Sequence, residues 1–390
     1  MAASAGLLSA CAIREPKASG IPLAPSPAAS SRLPAPAPRP APASRPVSVP
    51  PPILSETAPP AVVSASALLP WAPPDVAYTI KHINLAMTSV VNSDIREVVL
   101  DPNVDYHLIF DEVIHERIRF SGGRNIKIIG AEFDIDFDRP HVGYSPSDSD
   151  YYARSSGPEF QGQTGTLFIE GLWVHGAYAL DGIRQPGGAS TDLVLQNSRC
   201  ECDRIIQGLN SLDGFYHSDG FQSWGGLRSM KVFNWTVCNP YQGGMIGDGA
   251  ITGQWGPTLW SRVNLRPGLT VGQASKLFNI VADPSFLRGP LSFFDVYYEL
   301  GEGTRWSTAY HLPTTPPYTF GAFYSGFQFK RDSSGRSYAV PPEGKYPGLA
   351  GIDDGAGGEA RIYRGVPPGG DYVAPGGTSS GLGYVSPGYQ

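Results

Sequence analysis

Charge is scarce in this chain: only 16% of its 390 residues are Asp, Glu, Lys or Arg. The balance is acidic, with a formal net charge of -6. No basic field therefore exists to draw in phosphates, which argues against nucleic acid as a partner. Cysteine is scarcer still, with four residues: Cys11, Cys200, Cys202 and Cys238. The last three cannot all pair within one molecule, so no disulfide framework is implied. A CxC pair plus one distant Cys also lacks a fourth zinc ligand. No run of about 20 apolar residues is present, so no crossing of a bilayer is expected. Stretches rich in Leu, Glu and Lys are few, which favours strands and turns over helices. What the chain has in excess is glycine and proline, 47 and 38 residues, well above ordinary soluble-protein usage.

The organisation changes sharply along the chain. Leu8-Ser9-Ala10-Cys11 resembles a bacterial lipobox, which implies a cleaved signal within residues 1–15 and lipidation of Cys11. No Lys or Arg precedes its apolar run, which is shorter than the usual stretch of about 7–15 apolar residues after a basic start. Residues 16–74 form a Pro/Ala/Ser tract, for example APAPRPAPASRPVSVPPP. Such a tract buries too little apolar surface to offset chain entropy and is expected to be a disordered, extended tether. A tether behind a lipidated cysteine would hold a folded body off a membrane, the lipid being its only membrane contact. That places the protein in a bacterial cell envelope, as an outer-membrane lipoprotein or facing the periplasm or exterior.

The body is expected over residues 75–300. Tyr78 to Val91 reads as a capping element, followed by short strands at Val98–Leu100, His107–Phe110 and Ile118–Phe120. Then a repeat sets in. Ile126–Gly130, Leu167–Gly171, Leu193–Asn197 and Met230–Asn234 each read apolar, any, apolar, any, then Gly or Asn. Three residues beyond each Gly or Asn come Phe133, Val174, Cys200 and Val237 in turn. The alternation puts two apolar side chains on one face, and the Gly or Asn permits a corner. Successive corners lie 41, 26 and 37 residues apart, a unit of 20-odd residues with insertions, as in a solenoid. Cys200 then shares a column with Val174 and Val237 and is expected to be a small buried hydrophobe, with Cys202 also pointing inward.

The segment SGGRNIKIIGAEFDI and the DGI and DGF units after it resemble the pectin-lyase-like superfamily over roughly Asp94 to Leu300. The resemblance implies an all-β fold, a single-stranded right-handed parallel β-helix, with residues 301–390 as an irregular aromatic and Gly/Pro-rich cover. It also implies a polysaccharide or oligosaccharide partner, since members include polysaccharide lyases and glycoside hydrolases. Two departures stand out. The Asp-Asp pair and Gly-His-Gly signature of polygalacturonase-like hydrolases are missing from the repeat, the only Asp-Asp being Asp353-Asp354. The calcium-binding carboxylates and Arg of pectate lyases are not all present either.

The densest polar and aromatic stretch runs from Asn210 to Asp248. With Ile183 and Phe221 pointing inward, Asp181, Arg184, Asp219 and Gln222 are expected on the outer side or its edges, stacked as one ladder. His217 and Asp219 are two apart and share a face on a strand, where a carboxylate orients an imidazole for acid–base work. Asp203 is a candidate second carboxylate for glycoside hydrolysis, and Arg184 a candidate neutraliser of a uronate. Tyr216, Trp224 and Tyr241 are candidates for stacking on sugar rings, with Gln242 and Asp248 beside them. The bland reading is that the Asp-Gly pairs merely form turns and cap backbone amides. No cofactor is required, although Asp148 and Asp150 in the loop Ser145 to Gln163 carry the hard oxygens that suit calcium. Two functions follow: a polysaccharide lyase or hydrolase using His217, Asp219 and Asp203, or a non-catalytic glycan-binding or structural surface lipoprotein.

Overall fold

In the computed structural model the described residues are 68–91, 95–135, 155–176, 179–187, 190–202, 206–207, 215–216, 218–223, 225–238, 242–246, 256–266, 276–280, 291–298, 310–311, 328–331, 337–340 and 362–390. All belong to the unit Ala58–Gln390. The lipobox and nearly all of the tether lie outside them.

The described residues are almost wholly strand and turn, with one short 3-10 segment at Leu85–Met87. Two sheets account for nearly all the strands. The wider has eleven, running from Thr79–Ile83 through Tyr106–Phe110, Ile126–Asp134, Thr166–His175, Asp192–Glu201, Ser229–Cys238, Thr258–Arg266 and Leu291–Tyr298 to Ile362–Arg364. Every pairing over that span is parallel. The narrower has nine, and its parallel run includes Ile95–Leu100, Ile118–Gly122, Glu159–Gln161, Ile183–Gly187, Asp219–Ser223, Gln242–Ile246 and Lys276–Ile280. From Ile95 to Tyr298 the named strands of the two sheets alternate along the chain, one segment to the narrow sheet and the next to the wide one. Over this span each strand pairs with the previous and next strand of its own sheet, so the order in each sheet follows the sequence.

The columns foreseen from the repeat are present. Val174, Cys200, Val237 and Leu265 are neighbours in register, all at most 1% exposed. A second column runs through Ile128, Ile169, Leu195, Val232, Trp260 and Phe293. Aromatics fill this interior: Phe110 of the wide sheet meets Phe120 of the narrow one edge-on, and Phe120 stacks on its sheet neighbour Phe160 at 5.4 Å. Burying each such side chain contributes about 1.5–3 kcal/mol, and the columns join into one continuous core.

The corners are where the repeat put them, and they continue further. Gly130, Gly171, Asn197 and Asn234 all have positive φ, at 71°, 70°, 48° and 49°. Arg262 and Asp295 extend the same column at 53° and 46°; Asp tolerates the left-handed region, whereas Arg does not favour it. Hydrogen bonds tie the column together: Asn234 Nδ2 donates to Asn197 Oδ1 at 2.8 Å, and Arg262 Nε to Asn234 Oδ1 at 2.5 Å. The Arg262 guanidinium also lies 4.6 Å over the Tyr372 ring.

The capping element of Tyr78 to Val91 supplies the outermost strand of each sheet at one end, Thr79–Ile83 and Ser89–Val91. One boundary differs from expectation. Folded chain begins before Asp75, because Leu69 is 1% exposed and bridges in parallel to Tyr389. Residues 362–390 begin by extending the far end of the wide sheet, through Ile362–Arg364. They then run back along the corner column. Asp371 accepts from Arg199 Nη1 at 2.9 Å and Asn264 Nδ2 at 3.0 Å. Further on, Gly381 N donates to Gly171 O at 2.8 Å.

Candidate functional site

The outer face of the narrow sheet carries the ladder. Ile183 and Phe221 point inward and are fully buried, as are Phe120 and Phe160 on the two preceding strands. By alternation the residues between them face outward. In register these are Glu97, Arg119, Glu159, Arg184 and Gln222. Neighbouring rungs in a sheet lie about 4.8 Å apart, so opposite charges follow one another up the stack. Arg119 Nε donates to Glu159 Oε1 at 2.6 Å, and Arg117 Nη1 lies 3.3 Å from Glu159 Oε2.

Of the residues singled out by sequence, Arg184 and Gln222 are brought side by side on this ladder. Arg184 lies 3.8 Å from Asp181 Oδ2, with its side chain 13% exposed. Asp181 and Asp219 correct the expectation of an exposed strip: both are fully buried. Asp219, two residues before Phe221 on the same strand, shares the direction of that inward side chain. Asp181 accepts from Ser156 Oγ at 3.2 Å and from the Asp219 amide at 3.1 Å, joining successive circuits. Gln222 is also buried, at 1% exposure. Burial pushes the nearby Cys202 thiol well above its ordinary value, and Cys200, Asp181 and Asp219 push it the same way.

The Asp-Gly pairs have a packing reason as well as a turn. A Cβ at Gly182 would lie 2.5 Å from Cys200 Sγ and even nearer to the Gly220 carbonyl. Gly182 N donates to Asp219 O at 2.8 Å, so adjacent circuits approach backbone to backbone at this point, where only glycine fits.

His217, Asp203, Trp224, Tyr241, Asp248 and Cys11 lie outside the described residues, as do Asp148 and Asp150. Tyr216 and Gln242 fall on described strands, Phe215–Tyr216 and Gln242–Ile246, with Gln242 in register beside Asp219. Their side chains are outside the description. The structure thus brings together Asp181, Arg184, Asp219 and Gln222 of the sequence candidates. Among the described residues no group of three or more His, Cys, Asp or Glu is placed to hold a metal ion.

Sequence reasoning missed Arg117, Arg119 and Glu159. Arg117 and Arg119 flank the inward Ile118, and Glu159 precedes inward Phe160 as Arg119 precedes Phe120, so alternation marks all three as outward. It also missed a second buried polar centre on the outer face of the wide sheet. Glu170, fully buried, accepts from Tyr384 Oη at 2.7 Å, Tyr389 Oη at 2.8 Å and Gln196 Nε2 at 3.2 Å. Gln196 Nε2 donates as well to Trp71 O at 2.8 Å. Burial and Glu170 push both tyrosines far above the usual phenol value. A third cluster beside it sets His175 Nε2 3.0 Å from Glu132 Oε1, with its ring stacked on Trp173 at 3.7 Å. The amide of Leu382 donates to Glu132 Oε2 at 3.3 Å, so this cluster too serves to dock residues 362–390.

Compared with protein-family models, with curated proteins and with solved structures, the chain matches none.

Proposed function

We propose that this chain is a cell-envelope protein that binds polysaccharide along the flank of a right-handed parallel β-helix. Strict alternation of strands between two parallel sheets supports a continuous coil, and crossovers between parallel strands are right-handed in about 98% of cases. Lipidation at Cys11 and the Pro/Ala-rich tract of residues 16–74 would tether the body to a membrane.

One observation carries the glycan reading: the in-register outer column, whose solvent-reaching members are Glu97, Arg119 and Arg184. Polar groups repeated once per rung suit a ligand that itself repeats, and hydrogen-bonding side chains held on a rigid sheet lose little ordering entropy on binding. Binding without chemistry is favoured over hydrolysis or elimination. Asp219, the carboxylate expected to orient His217 for acid–base work, is sealed from solvent, and Asp181 is engaged by Ser156 and the Asp219 amide.

The test is a soluble form starting at Ala58, offered a panel of bacterial and plant glycans. Binding should be saturable and weakened by Arg119→Ala, whose side chain reaches solvent, with no new reducing ends and no unsaturated-uronate absorbance. Either product would make the protein a hydrolase or a lyase instead. Failure of every glycan to bind would remove the reading.

A further inference from the structure

We infer that the outer face of the wide sheet holds a second sugar site, a slot for one pyranose ring between Phe233 and Phe294, edged by Arg262. The first sign is the corner itself. Gly130, Gly171, Asn197 and Asn234 turn at positive φ with residues that tolerate it, whereas Arg262 turns at 53° with one that does not favour it. The tie to the preceding rung does not need arginine. Asn234 Nδ2 donates to Asn197 Oδ1 at 2.8 Å, and Arg262 Nε makes the matching bond to Asn234 Oδ1 one rung later. What arginine adds is a guanidinium lying between the Tyr372 and Phe233 rings, 4.6 and 5.8 Å from their centroids. Among the described residues its two Nη groups have no hydrogen-bond partner. Backbone strain of this kind collects at ligand-binding positions.

The side chains around it suit a sugar. Phe233, Ser261 and Phe294 are in-register neighbours on the outward column just before the corners, and all three are half-buried. Two rungs of about 4.8 Å separate the two phenylalanines. The small serine between them leaves a gap about one saturated ring wide, at contact distances of about 3.5–4 Å from each wall. Trp71 meets Phe233 edge-on at 6.0 Å and lengthens that wall. Aromatic rings cover the apolar face of a pyranose, and its hydroxyls then need polar groups at the rim. Ser261 places a hydroxyl at the floor, Arg262 brings donors, and Asp295, exposed on the next rung, brings acceptors. Arg262 and Asp295 do not pair with each other, because Arg262 reaches back to Asn234. The slot goes beyond the narrow-sheet ladder: it lies on the other sheet and shares no residue with it.

Calorimetric titration of the full chain with cellohexaose, maltohexaose and chitohexaose tests the slot. At least one of the three should bind. Arg262→Asn should weaken that sugar about tenfold, roughly the worth of one charge-assisted hydrogen bond. Its melting midpoint should hold or rise, because asparagine keeps the bond to Asn234 and relieves the backbone. Ser261→Phe fills the gap from an outward position and should abolish binding with the fold intact. Unchanged affinity in either variant would overturn the slot. So would a drop of more than about 4 °C in the Arg262→Asn midpoint, since arginine would then serve the fold. Weakening by Arg119→Ala alone would remove the slot and leave the ladder, and weakening by the slot variants alone would do the reverse. If none of the three sugars binds, the slot falls, while the ladder still answers to the wider glycan panel.

Discussion

A single methyl group added at Gly171 should unfasten the chain's two outer segments from the flank of the wide sheet. Gly171 has φ 70°, and an L-residue there costs about 1–2 kcal/mol. The new Cβ would lie 2.8 Å from Tyr384 Cε1 and nearer still to Cγ and Cδ1. The ring cannot simply swing aside. Its hydroxyl donates to Glu170 Oε1 at 2.7 Å and accepts from Asn197 Nδ2 at 3.0 Å. Displacing it takes one of three side-chain donors from a fully buried carboxyl group, which costs about 1–3 kcal/mol. Gly171→Ala should therefore lose about 2–5 kcal/mol in all. Urea unfolding of four proteins separates the two parts: wild type, Gly171→Ala, Tyr384→Ala and the double variant. In the Tyr384→Ala background only the backbone cost of about 1–2 kcal/mol should remain. The reasoning fails if Gly171→Ala costs the same in both backgrounds, or less than about 0.5 kcal/mol in the wild type.

Other perturbations follow from the same structure. Burial pushes the Cys200 thiol up to about 12 and the Cys238 thiol up to about 11, from an ordinary 9.0. Above pH 9 the unfolded chain releases protons that the folded one retains, so stability should fall between about pH 9 and 11. A Cys200→Ala/Cys238→Ala variant should show a flatter unfolding profile there. Asp105 behaves oppositely: its hydrogen bond from Arg124 leads in lowering its pKa from 3.8 to about 2. The stability it adds is complete above pH 4 and lost as the pH drops toward 2, and acid unfolding of Asp105→Asn should lack that component. At the exposed corner Asp295, φ 46°, Asp295→Val should lower the melting midpoint by the equivalent of about 1–2 kcal/mol, while Asp295→Asn should leave it unchanged.

Much of the interior was legible because its pattern is local. The alternation ending in Gly130, Gly171, Asn197 and Asn234 marked both the columns and the corners, and Cys200 took its place between Val174 and Val237. Arg262 and Asp295 were not legible as corners, since Arg rarely takes a positive φ and Asp295 lacks the Gly or Asn that marked the other corners. Their conformation is imposed by stacking on Asn234 and its predecessors. The ladder was half legible. Arg184 and Gln222 come out as register neighbours, but Asp181 and Asp219 were read as outward, because an Asp-Gly pair looks the same in a solvent-facing turn and in a close backbone approach. Glu159 joins Arg119 from 40 residues away, across a loop whose length says nothing of register. Residues 362–390 are Gly/Pro-rich and signal only irregular backbone. That Tyr384 and Tyr389 reach Glu170 depends on tertiary contacts that no short window contains.

Glu170 and Tyr389 lie 219 residues apart. At a synthesis rate of about 5–20 residues per second, roughly 10–40 seconds separate their emergence from the ribosome. During that interval the strand bearing Glu170 can already pair with its neighbours, yet its carboxyl group has only Gln196 to serve it. Water must occupy the seat that two phenols later fill. Nascent chains of this protein therefore pass through a long-lived, nearly finished stage with one wet flank, and a chaperone or protease that samples this stage would find its opening there.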